Sequence, residues 1–155
     1  ISSSDISLRA AALQWMILCS NGPHYSRIIQ MESDPSPSIR VSVLESLEHA
    51  PLAIATPSIV RLLNDDNIDV KIEASRQLRR LSSDIILDHA PELLNSASIS
   101  CRIHGVEALA TVEDGRVVSY IVNMFDDEDE RVKVAAQKAI EHLQRIANLS
   151  ESSRV

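Results

Sequence analysis

Histidines, cysteines and clustered carboxylates are the side chains of this 155-residue chain that could hold a metal or move a proton. The five histidines, His24, His49, His89, His104 and His142, have no second histidine at i+3 or i+4. HExxH and HxxxH spacings, which set two imidazoles on one helix face around zinc, are therefore absent. These histidines read as solvated or turn residues, and no metal site is expected. The acidic run DDEDE at 126–130 lacks the twelve-residue spacing, central glycine and closing glutamate of a calcium loop. It reads as a solvated turn leading into an acidic helix start, where the helix dipole favours negative charge. Cys19 and Cys101 stand outside any metal or redox spacing and read as reduced thiols without a disulfide, which fits a cytoplasmic chain. There is no P-loop, no GxSxG and no Cys–His–Asp set, so neither catalysis nor a cofactor is expected.

Composition says what must position those residues. Hydrophobic residues make up 45%, but only Trp15, Tyr25, Tyr120 and Phe125 are aromatic and only three residues are glycine. Ala, Leu, Ile, Val, Glu and Arg together supply more than half of the chain, which favours helix. A net charge of −7 supplies no field to attract a phosphate backbone, so nucleic acid is not an expected partner. No apolar run approaches the length of a membrane span, and no membrane contact is expected. The chain begins at Ile1 rather than Met, as expected of a piece of a longer protein or a processed product.

A period organises the sequence. Arg9, Arg40, Lys71, Arg102 and Lys133 are spaced by 31 residues. The residue before each is apolar: Leu8, Ile39, Val70, Cys101 and Val132. Three positions after each stand Ala12, Val43, Ala74, Gly105 and Ala136; seven after, Met16, Leu47, Leu78, Leu109 and Ile140. Ten after come Cys19, Ala50, Leu81, Val112 and Leu143. These offsets share one stripe of an α-helix, so five helices are expected to bury the same face. Asp5, Ser36, Asn67, Ser98 and Asp129, four before each basic residue, are N-cap types, and Pro37 follows Ser36 at a tolerated first-turn position. A second helix is expected in four units, with Ile28, Ile59, Ala90 and Ile121 aligned. The spacing predicts one repeat domain over 1–155, with units at 1–31, 32–62, 63–93, 94–124 and 125–149 and a tail at 150–155.

An acidic turn, then V-R/K, then a small-residue helix ending in Leu resembles HEAT repeats. The short type of the phycobilisome lyase subunits is closest, and DDNIDVKIEASRQLRRL and DDEDERVKVAAQKAIEHL match best. The resemblance covers essentially the whole chain and implies an all-α solenoid of four helical pairs plus one C-terminal helix. It also implies a ladder in which a turn Asp pairs with the basic residue of the next helix. The rungs would be Asp34 with Arg40, Asp65 with Lys71 and Asp127 with Lys133, leaving Arg102 freer because Ser96 replaces the acid. The His-Glu pair of HEAT-like hydroxylases never occurs after the basic position.

Such repeats serve many tasks, so function rests on the surface. The second-helix positions pointing away from both apolar stripes include Arg27, Gln30, Arg61, His89, Glu92, Tyr120 and Asn123, together with Ser58. That mixed row lacks the basic track of HEAT-like DNA glycosylases and suits a protein partner or a flanking domain of the same chain. The expected function is a non-enzymatic protein-interaction scaffold. The alternative is a regulatory or chaperone-like subunit of an enzyme complex, as in bilin lyases, with nucleic-acid binding less favoured. The N-terminal end is expected to be open around Trp15, and the C-terminal end closed by the polar face of Gln137, Lys138, Glu141, Gln144 and Arg145.

Overall fold

The computed structural model describes residues 5–18 and 24–152. Among them the chain is all-helical, with nine α-helices and no strand. These are α1 (Ile6–Leu18), α2 (Tyr25–Ile28), α3 (Pro37–Ser46), α4 (Leu52–Leu62) and α5 (Ile68–Leu78), followed by α6 (Ser83–Leu93), α7 (Ile99–Leu109), α8 (Arg116–Asn123) and α9 (Glu130–Ser152). Single 3-10 turns, Ile29–Met31 and Met124–Asp126, extend α2 and α8. Odd-numbered helices are the first helices of the five 31-residue units, and even-numbered helices are the second. The chain forms two compact units, Ile1–Gln77 and Leu78–Val155. In the first, α1 packs on α2 and α3, and α3 on α4; in the second, α7 packs on α6, α8 and α9, and α8 on α9.

The expected caps form at four of five starts. Asp5 and Asp129 accept from the N–H two residues on, at 2.8 and 2.9 Å, and Asn67 from those of Asp69 and Val70. Ser98 accepts from Cys101. Ser36 is the exception: its hydroxyl meets that of Ser38 and caps no N–H. Pro37 supplies the fixed φ at this start and removes one donor that would need a cap.

The repeating stripe is buried in the inner units and partly uncovered at the ends. Ile39, Val70, Cys101 and Val132 are buried, Ile39 being only 3% exposed, whereas Leu8 in the same register is 59% exposed. At the other end Ile140 and Leu143 are half-buried. The expectation of a closed C-terminal end is corrected on the second-helix side. Gln137 and Glu141 do present a polar face on α9, but Val118, Val122 and Phe125 form an exposed i, i+4, i+7 stripe along α8 and its 3-10 turn. Leu63 and Leu94, in register with Phe125, are 6% exposed, against 40% for Phe125. The fifth unit contributes a single long helix, so nothing among the described residues plays the part of a second helix over α8. Cys101 is buried with a free thiol, and Cys19 lies outside the described residues.

Candidate functional site

The most constrained polar groups are the arginines at the start of the first helices. Each lies one turn into its helix, where the side chain leans back toward the N-terminus and the preceding turn. The guanidinium then reaches in two directions. Arg40 donates from Nη1 to the Asp34 carbonyl at 2.7 Å, and from Nε and Nη2 to the two Asp65 oxygens at 2.8 and 2.7 Å. Arg102 repeats this arrangement, with Nη1 on the Ser96 carbonyl at 2.9 Å and its fork on Asp127 at 2.8 and 2.9 Å. Arg9 forks onto Asp34 at 2.6 and 3.0 Å.

The rungs therefore differ from those the resemblance implied. Asp34, Asp65 and Asp127 pair with the arginine 25 residues earlier, not with the basic residue six later. Arg102, expected to be freer, is buried and doubly held. The reason is local. One oxygen of each Asp accepts the N–H two residues on (Ser36, Asn67 and Asp129, at 2.8, 2.8 and 2.9 Å), which turns the carboxylate toward the preceding unit. Six residues after Asp34, Arg40 reaches the backbone carbonyl instead, and Lys133, six after Asp127, meets Glu130 at 3.3 Å. Ser96 keeps the turn bond, to Ser98 at a longer 3.2 Å, without the charge.

The carboxyl groups respond to these partners. Burial alone would raise Asp34 and Asp65, but the hydrogen bonds from Arg9 and Arg40, and then from the turn N–H groups, outweigh it and hold both below the usual range. For Asp127 the Arg102 bond is the largest influence, and it too is depressed. Asp129, at the surface beside Arg131, is pulled down to about 2 by that side chain and by the Arg131 N–H.

The second-helix row is mostly where the sequence placed it. Arg27, Gln30, Arg61, Glu92, Tyr120 and Asn123 are exposed, and His89 is half-buried. Ser58 is corrected: it is buried. Arg61 bonds Glu32 Oε1 at 2.7 Å, and the buried Oε2 of Glu32 has no hydrogen-bond partner among the described residues.

Two grooves lie between consecutive first helices, away from the second-helix row. One, of about 320 Å³, lies between α1 and α3, with Leu13, Ile17 and Ile39 on its floor and Gln14, Glu45 and Ser46 on its walls. The other, of about 490 Å³, lies between α7 and α9 over Ile103, Val134 and Ala135, with Arg79, Glu107 and Lys138 on its walls. The signal for both was present in the small or polar residues at repeat positions that face neither apolar stripe. His142 lines the second groove, while His24 stacks on Trp15 with ring centroids 6.2 Å apart. No group of three or more His, Cys, Asp or Glu among the described residues is placed to hold a metal ion. No described helix is long and apolar enough to cross a membrane. No family model and no curated protein matches the chain.

Proposed function

We propose that this chain is a HEAT-like α-solenoid that acts as a protein-interaction scaffold, presenting its second-helix row to a partner protein or to another domain of its own chain. The observation that carries the reading is the recurrent clamp of Arg9, Arg40 and Arg102, each fixing a carboxylate 25 residues ahead. A bidentate, hydrogen-bonded guanidinium at the same register in the first, second and fourth units supports a frame that loses little ordering entropy when it binds. The exposed Arg27, Arg61, Tyr120 and Asn123 add rigid contact area and hydrogen-bonding groups to that frame without supporting one another in the core.

The test is site-specific photo-crosslinking in the source organism, with the photoreactive residue placed at Gln30 or Tyr120, followed by affinity measurement on the captured partner. The quadruple variant Arg27→Ala, Arg61→Ala, Tyr120→Ala, Asn123→Ala should keep its helical circular dichroism and lose the partner. Full retention of the partner by that variant removes the second-helix row from the proposal.

A further inference from the structure

The two grooves between first helices occupy the same place in the repeat but differ in chemistry. Five residues after the basic position α3 carries Glu45, and α9 carries Lys138. Two residues before it stand Ser38 and Arg131 respectively. The α1–α3 groove thus holds one carboxylate and no cation, whereas the α7–α9 groove holds Arg79, Arg131 and Lys138 against Glu107 alone. Arg131 is already engaged by Asp129 at 2.9 Å. Arg79 and Lys138 are exposed and form no ion pair among the described residues. Two uncommitted cations flank the apolar floor of Ile103, Val134 and Ala135 in a chain whose net charge is −7. Packing of α7 on α9 explains the apolar residues of the floor, but it does not call for cations on the rim. A surface that needed only solubility would follow the overall acidic balance.

We propose that the α7–α9 groove docks an acidic amphipathic helix, whose carboxylates meet Arg79 and Lys138 while an aliphatic side chain lies on Ile103, Val134 and Ala135. This rests on the scaffold reading but moves the contact from the second helices to the first. Apolar anchoring supplies the binding surface, and the cations set the orientation and select against basic partners.

Fluorescence anisotropy with a fluorescein-labelled peptide tests this, the probe carrying Leu at i and i+4 on one helical face and Glu on both flanks. Saturable binding is expected, lost when the Glu residues are replaced by Lys and weakened when the Leu residues become Ala. Lys138→Glu and Arg79→Glu should each weaken it about tenfold, and Glu107→Gln should tighten it about twofold. Arg145→Glu, the same charge change elsewhere on α9, should leave it within about twofold. All four residues are exposed, so folding is preserved and checked by circular dichroism. No saturable binding, or equal binding by Lys138→Glu and Arg145→Glu, overturns the inference. So does displacement by a single-stranded oligonucleotide that depends on the same two cations. An overturned groove with crosslinks still forming at Gln30 and Tyr120 leaves the scaffold reading standing; loss of both removes the scaffold reading as well.

Discussion

Arg40 meets Asp65 edge-on, its Nε and Nη2 donating to the two carboxylate oxygens at 2.8 and 2.7 Å across 25 residues of chain. Both side chains are nearly removed from solvent, at 10% and 7% exposure. Truncating one partner leaves the other charged and buried, a situation that typically costs about 3–5 kcal/mol. Asp65 also accepts the Asn67 N–H, so its loss orphans a turn donor as well. Asp65→Ala is expected to destabilise by about 3 kcal/mol, and Arg40→Lys, which cannot form the fork, by about 1–2 kcal/mol. Urea midpoints of the two variants check this; an Asp65→Ala loss within error of zero would show that the pair is dispensable.

Acid should weaken the fold through the same groups. Asp34, Asp65 and Asp127 sit below the usual carboxyl value when folded, so on acidification the unfolded chain takes up protons first. Their contribution is complete above the unfolded value of about 3.9 and is lost as pH falls through the lower folded values. Thermal midpoints are expected to be level from about pH 7 to about pH 5 and to fall steeply below about pH 4. Asp127→Asn should start lower and decline less across that window.

Ser96 offers a gain. Its hydroxyl takes the Ser98 N–H at 3.2 Å, where the corresponding aspartates bond at 2.8 to 2.9 Å, and Arg102 already contacts its carbonyl. Ser96→Asp should shorten that bond and place a negative charge near both Arg102 and the start of α7. A stabilisation of about 0.5–1 kcal/mol is expected, diminishing in high salt. Calorimetry at low and high salt decides the matter.

Gly105 stands at a close approach to α6, where the second, third and fifth units carry Val43, Ala74 and Ala136. A Cβ there would lie 3.1 Å from Leu93 Cβ and 3.3 Å from the Ala90 carbonyl, both fixed by α6. The helix-propensity gain of alanine, about 1 kcal/mol, is outweighed by that crowding. Gly105→Ala should therefore lose about 1 kcal/mol and Gly105→Val about 3 kcal/mol, measured by urea unfolding. A stabilised Gly105→Ala would mean that α6 yields.

Trp15, 60% exposed and stacked on His24, reports on the uncovered face of α1. Its emission should be red-shifted and strongly quenched by iodide in the isolated chain. A protected Trp15 in the monomer would contradict the open face.

The first helices were legible because one stripe recurs at a fixed period, and hydrophobic burial reads that period directly: Val70, Ala74 and Leu78 are all fully buried. Rung partners were not legible. Every turn aspartate stands both six residues before one basic residue and 25 after another, so counting cannot choose between them. The turn N–H decides it, by orienting the carboxylate toward the earlier arginine. Gln77 was equally hidden. It shares its column with Trp15, Ser46, Ala108 and Ala139, yet it is 1% exposed and its amide donates to the Leu44 carbonyl at 2.7 Å. The exposed stripe on α8 was not legible because Val118 and Val122 share their register with the half-buried Leu87, Ile29 and Val60, and pattern alone cannot tell whether a neighbour is there to cover them.

The clamp also constrains how such a chain can change length over generations. Guanidinium and carboxylate are held by an interval of 25 residues, and six more lead to the next basic position. One residue inserted into an intervening helix rotates everything beyond it by about 100°, which swings the carboxylate off the fork. Insertions in the exposed turns between the rung residues are softer but still displace one end of the grip. Duplication or deletion of a complete unit preserves both intervals. Inheritance is therefore expected to leave single-residue length variation to the stretches outside the clamps and to add or remove material in whole units, so that related chains differ in the number of rungs rather than in the spacing between them.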